Sequence, residues 1–517
     1  MQHWADKIAD NILRRHPASS QPLTLASGIS PSGPVHVGNL RDIVTIWFVK
    51  KALEERGASV RAFHSWDNFD RFRKVPKNIP ESYSEFIGLP LSKVPDPTNQ
   101  YPSYAARYET EFENALLDMG IKIEFLNQTK LYESGLYADA IAEAIRLRHA
   151  IYDILAKFKT KEDAPDEREN YFPIALYCET CGKDTKTRVM ASDSSETHLS
   201  YRCHGCNKDG RVELKTANNI KLPWKVDWAM RWRHESVVFE PGGKDHATAG
   251  GSFEVSSEIS NQIFNHRPPI FQPYEFIGLK GLTGKMSGSS GVLLTPGDAL
   301  KIYQPEVLLF TFAKMPPNKA FDLVLDDGLY RVYDEFDRTN NKTPIEREIA
   351  LSKIPGRSVQ EVSFKQIASF SGIAQGNHGA MESIFDRMGT PCKKEVFSER
   401  LQKATHWLED FAPEQQLVLR EERDIEIFSS LTPIEKKWIG LLHDALKEKP
   451  LSQDAVTTLV YEIPKNDQPT DADLPLIQRR FFQIIYQLLF GKEKGPRLGT
   501  FFSAVPKERY LTLLDFK

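Results

Sequence analysis

The sequence lacks any long hydrophobic run. No stretch of its 517 residues approaches the roughly 18–20 apolar residues of a membrane-spanning helix, so we expect no membrane partner. The first residues, MQHWADKIADNILRRHP, contain no apolar signal core, which predicts a cytoplasmic location. Hydrophobic residues make up 40% of the chain and charged residues 26%, a composition typical of a globular protein.

A strong excess of charge of either sign is also missing, since the formal net charge is −3. This excludes binding of nucleic acid through an overall basic surface, but it leaves room for a local basic face. Cysteine is scarce, with five residues in total. Four of them form two Cys-x-x-Cys pairs and Cys392 stands alone, a pattern that predicts metal binding rather than disulfides in a cytoplasmic chain.

The first part of the chain alternates between strand and helix patterns. Residues 23–29 have the apolar character of a buried strand, residues 37–56 repeat apolar side chains at helical spacing, and residues 59–66 form a second strand pattern. A strand, a turn, a helix and a strand open a parallel α/β sheet. The sequence therefore predicts a Rossmann-like fold of the α/β class.

A more irregular region follows. Residues 103–120 and 134–158 have helical patterns, with a strand pattern at residues 121–126 between them. The charged segment 159–170 is typical of a solvated linker. Residues 171–215 then contain the two cysteine pairs.

Strand patterns return and then give way to helices. VDWAMRW at residues 226–232 predicts a strand, a helix is expected near residues 253–264, and YEFIGL at residues 274–279 predicts another strand. After about residue 335 helical patterns dominate. TPIE at residues 432–435 supplies the N-cap, the first-turn proline and the capping glutamate of one such helix.

The turn between the first strand and the first helix, PSGPVHVGN, contains more than a tight turn needs. A helix N-terminus exposes unpaired N–H groups and partial positive charge, which favour a phosphate. Gly33 and Gly38 allow a ligand close to the backbone, and His36 and Asn39 can donate hydrogen bonds to a triphosphate. A structural turn with an incidental histidine is the alternative.

A second segment, KMSGSSG at residues 285–291, combines one lysine with several hydroxyl groups. Taken alone, Gly- and Ser-rich segments are more often flexible surface loops than ligand sites. The segment is not a P-loop, because Leu279 stands where that pattern requires glycine and Met286 follows the lysine.

Taken together, HVGN and KMSGS resemble the two signature sequences of the class I aminoacyl-tRNA synthetases, which are written HIGH and KMSKS. Their order and their long separation match the family. Asn39 replaces the second histidine and keeps a hydrogen-bonding side chain. Gly288 replaces the second lysine, so Lys285 is the one certain cation of this loop.

The resemblance covers nearly the whole chain and is most specific for the class I lysyl-tRNA synthetases. The segments that carry it are GISPSGPVHVGN, DNFDRFRKVP, LPWKVDWAMRW, GGKDHATAGGS, YEFIGLKG and GPRLGTFF. It implies a catalytic domain at residues 1–335, with a connective insertion at about 85–215, a zinc ribbon at 171–215 and a signature-loop region at 280–335. It also implies that residues 336–517 form an α-helical anticodon-binding domain, an α-helix cage.

The activity implied by the resemblance is an ATP-dependent, AMP-forming ligation. The carboxylate of L-lysine attacks the α-phosphate of ATP, and the lysyl group then passes to the 3′-terminal adenosine of lysine tRNA. This chemistry depends on orientation and on stabilisation of phosphate charge. By resemblance the catalytic residues are His36, Asn39 and Lys285, and Mg²⁺ accompanies ATP. The ATP-binding residues expected are Pro31, Gly33, His36, Gly38, Asn39, Lys285, Ser287 and Ser289.

A lysine pocket is implied as well. The stem of the substrate requires an apolar wall, and its ammonium group requires acceptors. Asp67, Asp227 and Asp245 are alternative partners of the ammonium, which one sequence does not rank. Trp228 is predicted to pack in the core. The lysine-binding residues expected are Gly28, Ser30, Asp67, Trp224, His246 and Tyr274.

The cysteine pairs predict a structural zinc site. Cys178-x-x-Cys181 and Cys203-x-x-Cys206 are separated by 21 residues, and each pair fits a zinc knuckle. Two knuckles offer four thiolates to one tetrahedral Zn²⁺, which leaves no open coordination position for chemistry. Unpaired thiols or a redox pair are the alternatives. We expect the zinc to stiffen an insertion that contacts the acceptor end of the tRNA.

The C-terminal segments QRRFFQ and GKEKGPRLG mix basic and aromatic residues, which suits RNA contact but also an amphipathic helix with a basic edge. Three other functions remain open. They are a class I synthetase for glutamate, cysteine or arginine, a nucleotidylyltransferase without an RNA substrate, and a non-catalytic zinc-ribbon protein that binds RNA.

Overall fold

The structure is a computed structural model, and it describes residues 2–17, 21–159, 166–193, 197–281, 293–357, 362–448, 452–466 and 473–517. Its strands are β1 (Leu23–Ile29), β2 (Val60–Trp66), β3 (Glu124–Asn127), β4 (Ala175–Leu176), β5 (Thr187–Ser192), β6 (His198–Cys203), β7 (Lys208–Glu213), β8 (Ile220–Lys221), β9 (Val237–Gly243), β10 (Ile270–Tyr274), β11 (Ile277–Lys280) and β12 (Phe321–Val324). Its α-helices are α1 (Trp4–Arg15), α2 (Leu40–Glu54), α3 (Tyr104–Asp118), α4 (Gln128–Glu133), α5 (Ala138–Arg146), α6 (Arg148–Ala156), α7 (Trp224–Glu235), α8 (Ser252–Gln262), α9 (Pro296–Ile302), α10 (Pro305–Lys314), α11 (Leu329–Asn340), α12 (Arg347–Ser352), α13 (Phe364–Ser371), α14 (His378–Arg387), α15 (Lys394–Asp410), α16 (Ile425–Ser430), α17 (Pro433–Glu448), α18 (Gln453–Lys465), α19 (Leu474–Phe490), α20 (Leu498–Ala504) and α21 (Leu511–Leu514). The described helices include no candidate for a membrane span.

The chain is divided into two compact units. The first consists of Met1–Leu300, Pro305–Leu323 and Lys342–Pro355, and the second of Lys301–Gln304, Val324–Asn341 and Gly356–Lys517. The sequence boundary between residues 335 and 336 falls within helix α11, which belongs to the second unit.

A parallel sheet forms the centre of the first unit. Its five strands lie in the order β10-β9-β1-β2-β3, and all four pairings are parallel. Strand β1 is the middle strand, and its apolar start, Leu23 to Ser27, is buried. Helix α2 follows β1 and packs against β1 and β2. This arrangement confirms the predicted α/β class.

The predicted strand VDWAMRW is wrong, because residues Trp224–Glu235 form helix α7. Its aromatic and β-branched residues favour strand locally, but Trp224, Trp228 and Trp232 recur every four residues and therefore share one face of a helix. Neighbouring rings of this series lie 4.9 Å apart between centroids. Burial of the tryptophan face outweighs the local strand preference.

The predicted strand at residues 274–279 is divided in two. Strand β10 ends at Tyr274, where it pairs with Gly243, the last residue of β9. Because β9 ends there, β10 has no further strand residues to pair with, and the backbone leaves the parallel sheet. Strand β11 then begins at Ile277 and pairs with β12 in a separate two-stranded sheet.

The cysteine-bearing segment is a small antiparallel structure. Strands β5, β6 and β7 form a three-stranded sheet, and β4 pairs with β8. Gly210 lies opposite Tyr201, and a Cβ atom at Gly210 would come within 2.2 Å of the tyrosine ring. The ring thus occupies the space left by the glycine, and its hydroxyl accepts the backbone N–H of Glu179 in the first cysteine knuckle at 3.1 Å.

The second unit is helical in its described part from residue 362 onward, as predicted. The hydroxyl of Thr432 and the carboxylate of Glu435 cap helix α17 reciprocally, which confirms the predicted capping box. Arg400 of α15 is fully buried. It donates to Asp337 at 2.7 and 2.5 Å, to Gln304 at 2.7 Å and to the carbonyl of Val362 at 2.7 Å.

The burial of Arg400 generates a stability prediction. Arg400→Met removes these four hydrogen bonds and leaves the carboxylate of Asp337 without its cation, so we expect the unfolding free energy of the helical unit to fall by roughly 3–5 kcal/mol. Hydrogen exchange of α15 amides in increasing urea measures this loss. The control is Arg357→Met, which removes a partly exposed pair with Glu399 and is expected to cost less than about 1 kcal/mol. Equal losses in the two variants would contradict the prediction.

Candidate functional site

The glycine-rich turn lies at the carboxyl end of the central strand. Helix α2 begins at Leu40, so His36, Gly38 and Asn39 belong to the turn rather than to the predicted helix. The backbone N–H of Gly38 donates to Nδ1 of His36 at 3.1 Å. A Cβ atom on Gly38 would come within 2.8 Å of the imidazole ring, so this ring position requires glycine.

The Gly38 hydrogen bond fixes the chemistry of His36. Because Nδ1 accepts, the neutral ring carries its proton on Nε2, which can donate to a ligand. Burial lowers the pKa of His36, which keeps the ring neutral. Asn39 is the N-cap residue of α2, but its side chain makes no capping hydrogen bond, so the amide is not used by the helix.

A cleft of about 700 Å³ opens over this turn. Four predicted residues line it: Ser30, Gly33, His36 and Asn39. Pro31 and Gly38 lie in the same turn without lining the cleft. Lining residues that the sequence did not predict are Ile29, Ser32, Pro34, Val35, Lys74, Val75, Pro76, Lys77 and Asn78.

Lys74 and Lys77 are the notable additions to the cleft. Both side chains are exposed, and neither forms an ion pair with another described residue. Lys74 lies within the segment DNFDRFRKVP after β2 and Lys77 directly follows it. Several basic residues cluster there, and this cluster is the signal that could have identified both lysines. They place positive charge on the cleft that contains His36.

The second signature segment falls outside the described residues, including Lys285, Ser287 and Ser289. The segment that follows it is described. The carbonyl of Leu294 accepts the backbone N–H of Val37 at 2.8 Å, directly within HVGN. The segment that follows the second signature is therefore hydrogen-bonded to the first signature.

A second, much smaller cavity of about 20 Å³ lies between the sheet and α7. Because strand register puts Ala26 beside Phe63 and Gly28 beside Ser65, these four residues face the same side of the sheet. Its lining residues are Ala26, Ser27, Gly28, Phe63, Ser65, Asp67, Leu126, Gln128, Trp224, Trp228, Arg231, Trp232, Glu235, Val237 and Glu240. Gly28, Asp67 and Trp224 are predicted residues, and Gly28 is adjacent in sequence to Ile29 of the larger cleft.

The other predicted pocket residues lie at different places around this cavity. The ring of His246 lies 5.7 Å from that of Trp228 and 6.5 Å from that of Trp224, so it joins the tryptophan face without lining the cavity. Tyr274 lines neither cavity, and its hydroxyl opposes the rise that burial causes in the pKa of Asp42 on α2. Trp228 is 4% exposed, as expected of a core residue.

A buried ion network lies beside the small cavity. Arg231 pairs with Asp67 at 2.7 Å and with Asp227 at 3.3 Å. Lys221 pairs with Asp227 at 3.0 Å and with Asp70 at 2.8 Å. Two of the three predicted ammonium partners, Asp67 and Asp227, are thus already paired with cations of the protein.

The remaining polar groups complete the network. Ser30 donates to Asp70 at 2.5 Å, which connects the end of β1 to the buried ions. The third ammonium candidate, Asp245, is exposed in a 3₁₀ turn at Lys244–Ala247. Asp70, Lys221 and Arg231 were not predicted, because their roles appear only when distant segments meet.

The four paired cysteines converge. Sγ of Cys178 lies 3.6 Å from that of Cys206, and Sγ of Cys181 lies 3.8 Å from that of Cys203. All four sulfur atoms lie within 4.8 Å of one another. The distances are much longer than the roughly 2.05 Å of a disulfide bond, and the cluster is suited to hold a metal ion.

The chain is similar to a known family and to several known proteins. Residues 2–363 match the family described as tRNA synthetases class I (K). The chain is 35% identical to a lysine--tRNA ligase of Treponema pallidum over 99% of this chain and 98% of that one. It is 34% identical to a lysine--tRNA ligase of Thermococcus kodakarensis over 98% of each chain. A solved glutamate tRNA ligase of Elizabethkingia meningosepticum is 12% identical, with a TM-score of 0.44 over 96% of this chain and 99% of that one.

The environment of His36 generates a titration prediction. Because burial disfavours the imidazolium form, we expect His36 to titrate below pH 6.5, the ordinary value, and to be neutral at pH 7. Heteronuclear NMR of protein labelled with ¹⁵N-histidine measures the midpoint, and a His36→Gln spectrum assigns the signal. A midpoint at or above 6.5 would show that the predicted environment is wrong.

Proposed function

The chain belongs to the family of tRNA synthetases class I (K). From this membership and from its similarity to lysine--tRNA ligases, we propose that it is a lysine--tRNA ligase. It activates L-lysine with ATP to lysyl-adenylate and transfers the lysyl group to the 3′-terminal adenosine of lysine tRNA. One observation carries the proposal: the small cavity is lined by Gly28 and the large cleft by Ile29, which are neighbouring residues at the end of β1. An amino acid whose side chain ends at the small cavity can therefore place its carboxylate toward a nucleotide in the cleft.

In the proposed reaction, ATP occupies the cleft over the turn. Nε2 of His36 and the amide of Asn39 donate to its phosphates, and Lys74 and Lys77 add positive charge nearby. Lys285, Ser287 and Ser289 are proposed to contact the β- and γ-phosphates from the second signature. Pro31, Gly33 and Gly38 shape the backbone of the nucleotide site, and Mg²⁺ accompanies ATP. Attack of the lysine carboxylate on the α-phosphorus breaks the bond to pyrophosphate, whose leaving charge these donors stabilise.

Lysine is proposed to bind where β1 meets helix α7. Gly28 leaves room beside the backbone, and Trp224 and His246 supply a wall for the lysine stem. Ser30 and Asp67 connect this site to the buried ions, since one bonds Asp70 and the other pairs with Arg231. Tyr274 is proposed to support the site indirectly, by interacting with Asp42 in the first turn of α2.

The RNA substrate is proposed to contact separate segments of the chain. The connective insertion at about residues 85–215 contacts the acceptor end, and the loop that bears Lys285, in the signature-loop region at 280–335, closes over the nucleotide. Residues 336–517 bind the anticodon as an α-helix cage. We also propose a cytoplasmic location, because ATP and tRNA are used together there.

The metal of the cysteine cluster is proposed to be structural zinc. Four thiolates at about 2.3 Å from one Zn²⁺ define a tetrahedron with edges of about 3.8 Å. The measured 3.6 and 3.8 Å between sulfur atoms fit this size. Cys178, Cys181, Cys203 and Cys206 complete the ligand shell, so the ion stabilises the insertion and takes no part in the reaction.

The proposed function predicts amino-acid-dependent exchange of pyrophosphate with ATP. With lysine tRNA present, we expect lysine to support exchange. Glutamate, cysteine and arginine are expected to give less than about 1% of that rate, because none of them has a side-chain ammonium group at the distance from the α-carbon that lysine has. Radiolabelled pyrophosphate incorporated into ATP is the measured quantity. Exchange with one of the other amino acids, and none with lysine, would redirect the assignment to another class I synthetase.

The zinc assignment predicts one zinc ion per chain. Elemental analysis of protein purified without chelators is expected to give a stoichiometry near one, and Cys206→Ser is expected to lower it and to increase hydrogen exchange across β5–β7. Cys392→Ser is the matched control, because Cys392 lies outside the cluster and its loss leaves zinc content unchanged. Zinc-free wild-type protein with normal exchange protection in β5–β7 would overturn the assignment.

A further inference from the structure

We propose that Glu240 is the residue that recognises the side-chain ammonium of the amino-acid substrate and so determines specificity for lysine. The assignment rests on the proposed function and deepens it. Glu240 lies on β9, lines the small cavity together with Gly28 and Trp224, and is 8% exposed.

The charges around the cavity single out this residue. Three carboxylates line it: Asp67, Glu235 and Glu240. Asp67 pairs with Arg231 at 2.7 Å, and Glu235 pairs with Arg61 at 2.5 Å. Glu240 forms no ion pair within the described part of the chain. Its Oε2 atom accepts the indole N–H of Trp232 at 2.6 Å, which holds the carboxylate in place without neutralising it.

The position and size of the cavity fit an ammonium group. Residues Ala26 and Gly28 of β1 share a sheet face with Glu240, because Leu25 pairs with Phe239 and side chains alternate along each strand. A volume of about 20 Å³ holds one water-sized group, and an ammonium group has that size. Lysine bound against Trp224 with its backbone near Gly28 extends its stem toward this space.

Physical chemistry explains why the cavity would select lysine. A buried carboxylate without a cation is costly, and a ligand cation removes this cost. A neutral amino acid of similar length leaves Glu240 unpaired, and glutamate adds a second negative charge. The difference in binding free energy between lysine and either of these other amino acids therefore arises at Glu240.

The ionisation of Glu240 gives an independent readout. Burial raises its pKa to about 7, with Asp67 adding repulsion and Arg231 and the indoles of Trp232 and Trp228 opposing the shift. Asp42 of α2 and Glu235 are the other acidic groups nearby. Since lysine pairs with the deprotonated form, its affinity is expected to fall about tenfold as the pH decreases from 8 to 6.

The test is Glu240→Gln in the full-length protein, assayed by exchange with lysine tRNA. The amide keeps the side-chain volume and an oxygen acceptor for Trp232, so the fold is preserved while the charge is lost. We expect KM for lysine to rise at least 30-fold, while KM for ATP and kcat change less than threefold. We also expect the pH dependence of the lysine KM to flatten and the preference for lysine over norleucine to decrease.

Glu113→Gln is the matched control. Glu113 also accepts an indole N–H, from Trp66 at 2.8 Å, but it lines neither cavity, so lysine KM is expected to stay within about twofold. Glu240→Asp, which keeps the charge, serves as the second variant if the glutamine variant unfolds, and it is expected to retain the pH dependence.

The outcomes separate the two proposals. If wild-type protein shows no exchange with lysine, the proposed function fails. If wild-type protein is active and the folded Glu240→Gln variant binds lysine normally with an unchanged pH profile, Glu240 serves only to position Trp232 and this inference is overturned.

Discussion

The site depends on the buried ion pairs that hold helix α7 against the parallel sheet. Arg231 and Lys221 are each shared between aspartates that come from different segments of the chain. Ions buried at this depth are tolerated only when each has a partner in good geometry. The network therefore fixes where α7 lies, and with it the tryptophan face that covers the small cavity.

This constraint also organises the chemistry. Ser30 connects the end of β1 to the ion network, and the neighbouring residues Gly28 and Ile29 line the small cavity and the large cleft, respectively. One space offers neutral and cationic donors around His36, which suits phosphate. The other is small, lined by tryptophan and acidic, which suits an aliphatic cation. In the proposed reaction, the end of one strand would separate the two substrates while keeping their reacting groups close.

The sequence predicted the parts of the site whose chemistry is local. His36 and Asn39 were predicted from a glycine-rich turn before a helix, and the structure places both on the large cleft. The four paired cysteines were predicted from their spacing, and the structure brings their sulfur atoms together. Helix α7 was read as a strand, since local preference competed with the four-residue recurrence of tryptophan. Glu240 gave no signal, because a glutamate within VVFEPGG resembles any polar strand residue until register and neighbouring charges are known.

The bond between Val37 and Leu294 joins main-chain atoms on both sides. Side-chain replacements at either position leave the donor and acceptor intact, with proline at 37 the exception because it lacks the N–H group. The attachment beside the imidazole therefore depends on the path of the backbone at residues 37 and 294 and not on a polar side chain at either position.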